Sequence, residues 1–100
     1  AVVAFSRMRG GDDVKISVGV HFGPVVVGDV GSARRMELAV IGDTVNVAAR
    51  LETLTRSLGI DAAISEEAMI AAGQPSAPQL IGPQVVKGRA EPVVVFGLRR

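Results

Sequence analysis

Two side chains suited to phosphate chemistry, the amide of Asn46 and the guanidinium of Arg50, lie four residues apart near the middle of the sequence. Residues at this spacing lie one above the other on the same face of a helix. The start of a helix carries partial positive charge and unpaired N–H groups, which favour anions. An arginine fork also matches phosphate oxygens. The pair indicates a phosphate-binding helix surface, although the same spacing fits an ordinary solvated helix.

The segment that must position this pair, residues 43–58, has the pattern of an amphipathic helix. Asp43 is predicted to be its N-cap and Gly59 its C-terminal stop. Glu52 and Arg56 are interpreted as a solvated pair that supports the helix. The apolar residues recur at helical spacing and are expected to face a core: Val47, Leu51, Leu54 and Leu58.

The residues before this helix are predicted to be mostly extended. Residues 1–9 fit either the end of a helix or a strand, and the helix end is preferred. Residues 14–22 alternate between apolar and small or polar side chains, which predicts a half-buried strand with its apolar face inward. Residues 25–30 and 36–41 are predicted to be two further extended segments.

The residues after the helix predict a short strand and a second helix. Residues 60–64 have the composition of a buried strand. Ser65 is expected to cap a brief helix that runs to Ala72, with Gly73 as its stop. Residues 74–83 hold three of the five prolines and are predicted to be a loop or an irregular edge.

Two C-terminal segments, residues 85–86 and 93–98, are predicted to pair as a hairpin around residues 87–92. Helices and strands therefore alternate along the chain. This order predicts an α/β or α+β sandwich in which helices cover a sheet.

Composition narrows the possible functions. One hundred residues make one domain or part of one, and with only three aromatic residues the core must be aliphatic. A net charge of +1 gives no electrostatic support for binding nucleic acid or an anionic membrane surface. The absence of cysteine excludes disulfides and thiolate metal sites, and fits a reducing, cytoplasmic location. The single histidine, His21, cannot build a metal site alone and is expected at the surface or in an interface.

No membrane span is visible, because no apolar run reaches roughly 18 residues. No secretory signal is visible either. The chain begins at Ala1 and not at a methionine. We therefore expect a fragment of a longer protein, whose other segments could include a membrane anchor.

Three stretches resemble the class III nucleotidyl cyclases, the adenylate and guanylate cyclase catalytic domain. They are the ungapped run ISVGVHFGPVVVGDVGSARRMELAVIGDTVNVAARLE, the pentapeptide ISEEA and the segment VVKGRAEPVVVFGL. The resemblance covers about residues 14–99 and implies that residues 1–100 are the C-terminal part of that domain. It implies a partial, ferredoxin-like α+β sandwich that supplies only the later strands and helices. It also implies a head-to-tail homodimer with active sites at the subunit interface.

The resemblance implies cyclisation of ATP or GTP by attack of the ribose 3′-hydroxyl on the α-phosphate, with ATP preferred. Asn46 matches the family asparagine that orients the ribose, and Arg50 the arginine that stabilises the transition-state phosphate. Lys87 matches the lysine that contacts the triphosphate, although by its spacing alone it is a solvated hairpin lysine. Ala39 stands where the family has Asp or Thr for the purine edge. Its methyl group cannot donate or accept a hydrogen bond, so the neighbouring backbone is the alternative reader of the base.

The resemblance also implies Mg²⁺ or Mn²⁺ held by two Asp residues from early strands, which this chain lacks. Asp12 and Asp13 lie immediately before the 14–22 strand, which is the wrong place, and are interpreted as turn residues. The chain alone is therefore expected to be inactive. Two other functions stay open. One is a non-catalytic cyclase-homology module for dimerisation or signalling, and the other is an unrelated phosphate-binding ferredoxin-like domain.

Overall fold

The computed structural model describes residues 2–10, 15–23, 35–87 and 89–99, and gives the backbone alone at Arg9 and over 35–42. Its described elements are five strands and two helices: β1 (Val2–Arg9), β2 (Lys15–Phe22), α1 (Arg35–Leu58), β3 (Ala62–Ser65), α2 (Glu66–Ala71), β4 (Gln79–Gln84) and β5 (Val93–Leu98). The α+β prediction is confirmed. Neither helix in this part of the chain has the combination of length and apolar character needed to cross a membrane.

The strands form one mixed sheet in the order β1-β2-β3-β5-β4. Strands β2 and β3 are parallel, and the other three pairs are antiparallel. Parallel neighbours need a crossover connection, and α1 lies in that connection. Helix α1 packs on β1, β2 and β3, whereas α2 contacts β2, β3 and β5.

The apolar stripe of α1 faces the core as its spacing predicts. Val47 and Leu51 are fully buried, and Leu54 and Leu58 pack against the same cluster. Gly59 ends the helix with a φ of 67°, and the next N–H, of Ile60, donates to the carbonyl of Thr55 at 3.0 Å. The remaining cluster members come from the sheet and its connections: Ile60, Ala63, Val86, Val93 and Val95.

Helix α1 begins earlier than predicted, at Arg35, so the predicted strand over 36–41 is wrong. The segment opens with Met, Glu, Leu and Ala, which are strong helix formers, and these outweigh the β-branched pair that follows. Asp43 consequently lies inside α1 and is not its N-cap. Its carboxylate pairs with Arg89.

Strand β2 turns the opposite face inward from the one its alternation predicts. Ser17, Gly19 and His21 are buried, whereas Ile16 and Phe22 are each 41% exposed. The reason is the close approach of α1 to β2. A Cβ atom on Gly19 would lie only 2.0 Å from the carbonyl oxygen of Ala48. At the point of this close approach the inward face therefore needs a small residue, whether or not it is apolar.

Residues 2–9 form a strand, so the preferred prediction of a helix end there is wrong. Strand β1 pairs with β2 along its whole length, from Val2 opposite Phe22 to Arg9 opposite Lys15. That continuous ladder satisfies backbone groups that the short segment could not satisfy as an isolated helical turn. The predicted extended segment 25–30 lies outside the described residues.

Glu52 is fully buried, so its interpretation as part of a solvated pair is wrong. Its carboxylate lies between two arginines: Oε2 is 3.4 Å from Nη2 of Arg56, and Oε1 is 3.6 Å from Nε of Arg7 in β1. The i,i+4 pair with Arg56 exists as predicted. The β1 strand, however, covers it and supplies the second cation.

The C-terminal third follows the prediction at α2 and departs from it at β4. Ser65 caps α2 by accepting the N–H of Ala68 at 3.2 Å, and Gly73 follows with a φ of 81°. Half of the predicted loop is strand β4, which pairs with β5 in place of residues 85–86. As an edge strand, β4 tolerates Pro83 because one side of its backbone needs no ladder partner.

Candidate functional site

An open groove of about 240 Å³ lies between α1 and the segment that follows β4. Arg50 and Lys87 both line it, although they are 37 residues apart in the sequence. The guanidinium of Arg50 donates a hydrogen bond to the backbone carbonyl of Lys87. The structure therefore brings together two of the four predicted site residues.

The other two predicted site residues lie on α1. Asn46 is exposed one turn before Arg50, so the predicted placement of the pair on one helix is confirmed. Ala39 lies seven residues before Asn46, in the first part of α1 and not in the predicted strand. Seven residues correspond to about two helical turns, or roughly 10 Å of rise.

The groove combines two cations with apolar walls. Arg50 is half-buried and Lys87 is exposed, while Leu54, Val85 and Val86 supply aliphatic lining. Apolar surroundings strengthen the attraction between a guanidinium and an anion, because fewer water dipoles screen it. The bond to Lys87 uses one of the five N–H donors of a guanidinium. The groove is therefore suited to an anionic group that bears an apolar part.

Sequence reasoning missed a cluster of charged side chains next to this turn. Arg89 Nη1 lies 3.4 Å from Oδ2 of Asp43 in α1, and its Nη2 lies 3.5 Å from Oε2 of Glu67 in α2. These partners are 46 and 22 residues away in the chain. No spacing rule links them, so only the fold reveals the cluster.

His21 is buried inside the fold, so its predicted place at the surface or in an interface is wrong. Its Nδ1 lies 2.8 Å from Oγ of Ser65, the N-cap of α2. Burial lowers the pKa of His21 below the ordinary 6.5. The charge of Arg89 lowers this pKa further, while the carboxylates of Glu67 and Asp43 act in the opposite direction. His21 is therefore neutral in the folded protein at pH 7.

We expect this burial to make stability depend on pH through His21. Below pH 6.5 the unfolded chain takes up a proton at His21, whereas the folded chain resists protonation. The free energy of unfolding should therefore fall as pH falls below 6.5, and stop falling through this group below the folded-state pKa. Chemical denaturation of the full-length protein between pH 5 and 7.5 measures the effect.

The matched control is His21→Asn, which keeps a polar atom near the Nδ1 position and cannot titrate. The two proteins share all other ionisable groups. Any difference in how steeply their free energy of unfolding changes with pH is therefore due to His21. Equal slopes below pH 6.5 would show that the imidazole is as easily protonated in the folded protein as in the unfolded one.

The described residues do not fit the implied metal site. Among residues 2–10, 15–23, 35–87 and 89–99, no three His, Cys, Asp or Glu side chains are grouped so as to hold a metal ion. Asp12 and Asp13 lie outside those ranges.

Comparison with known proteins identifies relatives of this chain. Residues 2–98 match the family model of the adenylate and guanylate cyclase catalytic domain. The chain is 35% identical over 89 residues to an adenylate cyclase of Anabaena cylindrica, which covers 86% of the chain. It is 42% identical over 53 residues, 53% of the chain, to adenylate cyclase 1 of Rhizobium meliloti (strain 1021). It is 33% identical over 83% of its length to the terminal-differentiation specific adenylate cyclase of Dictyostelium discoideum.

The chain spans only a small part of these curated relatives, namely 18%, 8% and 4% of their respective lengths. The family match, in contrast, covers nearly the whole chain and includes every predicted site residue. On this match, and with Arg50 and Lys87 brought to one groove, the chain belongs to the adenylate and guanylate cyclase catalytic domain family.

Proposed function

We propose that the full-length protein is an adenylate cyclase that converts ATP to cyclic AMP and pyrophosphate, and that residues 1–100 are the C-terminal part of its catalytic domain. The observation that carries the proposal is the shared groove of Arg50 and Lys87 in a chain of this family. The three relatives are all adenylate cyclases, which favours ATP over GTP as the substrate.

In the proposed reaction the ribose 3′-hydroxyl gives up its proton to solvent and its oxygen bonds to the α-phosphorus. The bond from that phosphorus to the pyrophosphate oxygen breaks, and pyrophosphate leaves. Negative charge builds on the α-phosphoryl oxygens and the leaving group. Arg50 is assigned to this charge, because its bond to the Lys87 carbonyl already orients the guanidinium at the groove. A preoriented donor stabilises the transition state without a further cost of ordering.

Asn46 is assigned to the ribose and Lys87 to the triphosphate. Asn46 is exposed one turn from Arg50, and an amide can both donate to and accept from a ribose hydroxyl. Lys87 is exposed at the rim of the groove, where an ammonium attracts phosphate without fixing its geometry. Ala39 is assigned to the purine position, where only its backbone has hydrogen-bonding groups.

We further propose that catalysis takes place in a head-to-tail homodimer in the cytoplasm and requires Mg²⁺ or Mn²⁺. The dimer and the metal requirement rest on the family match. The location rests on the absence of cysteine, which fits a reducing compartment. The residues described above hold no cluster that fits the metal.

A second candidate function is a non-catalytic cyclase-homology module used for dimerisation or signalling. Ala39 favours it, because its side chain cannot recognise a base by hydrogen bonding. The lack of a metal-binding group among the described side chains is compatible with this function as well.

A cyclase assay on the full-length protein separates the two functions. ATP or GTP is supplied with Mg²⁺ or Mn²⁺, and cyclic nucleotide and pyrophosphate are both measured. The enzyme should release them in equal amounts, with ATP preferred. A full-length protein that binds an ATP analogue but forms neither product with either metal would favour the module.

A further inference from the structure

Backbone hydrogen bonds and one buried residue hold the turn that carries Lys87 in place next to α1. Val86, immediately before Lys87, is 2% exposed and belongs to the core cluster. The N–H of Arg89 donates to the carbonyl of Val86 at 3.0 Å and closes the turn around Lys87. Arg50 donates to the carbonyl of Lys87 itself. The main chain at Lys87 is therefore tied to the core and to α1.

The side chain of Arg89 connects the same turn to both helices. Its two terminal nitrogens reach two different carboxylates, Asp43 in α1 and Glu67 in the first turn of α2. A planar fork can bridge two acceptors in this way, whereas the single ammonium of a lysine has no fixed pair of directions. Arg89 thus joins the turn to α2 through Glu67.

The guanidinium of Arg89 also neutralises two carboxylates that lie near Lys87. Asp43 lies three residues before Asn46 on α1, and Arg89 lies two residues after Lys87. Without the guanidinium, two carboxylates would be left uncompensated beside a turn that has to receive an anion. Both carboxylates are about half exposed, so salt should weaken the effect.

We propose that Arg89 is a positioning residue that fixes the Lys87 turn against α1 and α2 and keeps Asp43 and Glu67 neutralised, so that the Lys87 ammonium meets the triphosphate. The proposal rests on the function proposed above for Lys87. Arg89 itself touches no reacting atom and acts through its neighbour.

The kinetic test is a double-mutant cycle on the full-length protein at low salt. Arg89→Ala should raise the KM for ATP about 10-fold with kcat changed only a few-fold, because ground-state and transition-state binding are lost together. In a Lys87→Ala background the same change should have little further effect, since residues that act as one unit are not additive. Arg89→Lys should recover part of the loss, and higher salt should shrink it.

The matched control is Arg99→Ala, which removes an exposed arginine just after β5 and should leave KM unchanged. An equal loss from Arg89→Ala with and without Lys87 would overturn the proposal, because Arg89 would then contact substrate independently. An unchanged KM in Arg89→Ala at low salt would overturn it too.

A readout without activity separates this proposal from the function on which it rests. Hydrogen exchange in the peptide over residues 85–93 should become at least about 10-fold faster in Arg89→Ala, because the turn loses its connection to α2. Unchanged exchange would overturn the positioning role even in an active enzyme. If Lys87→Ala leaves KM unchanged while exchange accelerates, the proposed function of Lys87 fails and the structural role of Arg89 stands.

Discussion

Arg50→Ala is expected to lower kcat for the proposed cyclisation of ATP by the full-length protein by about 100- to 1,000-fold, the range typical for loss of one preorganised donor to a developing anion. Arg50 is the only residue that both lines the groove and donates to the Lys87 carbonyl among the contacts of the described chain. Its removal therefore takes away the charge assigned to the transition state and loosens the turn that holds Lys87. Initial rates of cyclic AMP formation at saturating ATP measure the effect.

Two further variants test whether the planar fork of Arg50 and its position at the groove account for the loss of kcat. Arg50→Lys keeps the charge but not the planar fork, so its loss should be intermediate. Arg56→Ala removes an arginine of the same helix that pairs with Glu52 outside the groove, and it should keep kcat within a few-fold. An Arg50→Ala protein that is folded and turns over ATP at the parental rate would refute the assignment of Arg50.

Gly19→Ala is expected to prevent α1 from docking on the sheet. The new Cβ would lie 2.0 Å from Ala48 O and 2.4 Å from Glu52 N, both of them backbone atoms that no rotamer change can move. Relief requires a shift of the whole helix, and overpacking on this scale costs roughly 3 kcal/mol or more. Arg50 lies between these two contact points on α1, so the groove would be displaced as well. Thermal unfolding and hydrogen exchange of α1 in the full-length protein report the damage.

The control is the same substitution at Gly73, where the described part of the chain has no neighbouring atom to clash with. A Cβ atom on Gly73 would meet nothing within 4 Å, but the φ of this residue is 81°. Gly73→Ala should therefore cost only the strain of a left-handed alanine, about 1 kcal/mol. If Gly19→Ala proves no more destabilising than Gly73→Ala, then α1 does not lie directly on β2.

Much of the fold could be predicted from residues that are close together in the sequence. The spacing of Val47 and Leu51 predicts the buried face of α1, and Ser65 predicts the start of α2. These features depend on contacts within a few residues, such as a cap hydroxyl and the N–H three positions later. The Asn46 and Arg50 pair belongs to the same class, because helical geometry alone sets its alignment.

Two of the errors, at Glu52 and His21, fall where distant segments meet. Glu52 has the spacing of a surface pair, but β1 covers it and brings Arg7 to its carboxylate. His21 stands on the polar side of an alternating strand, yet it is buried against Ser65, 44 residues away. In both cases a polar group is buried because the fold supplies a partner, and single-strand or single-helix patterns contain no information about that partner.

From the sequence alone one predicts the apolar face of the central helix and its stop at Gly59, the cap at Ser65, and the placement of Asn46 and Arg50 one turn apart. Each of these depends on residues that are close together in the chain. The family resemblance is likewise visible in the sequence. Three features appear only in the folded chain: the face of β2 that lies inside, the groove shared by Arg50 and Lys87, and the contacts of Arg89 with both helices. Their cause is distance along the chain. How closely a helix approaches a sheet, and which charges then meet, depends on residues far apart in sequence, and no local propensity encodes their contact.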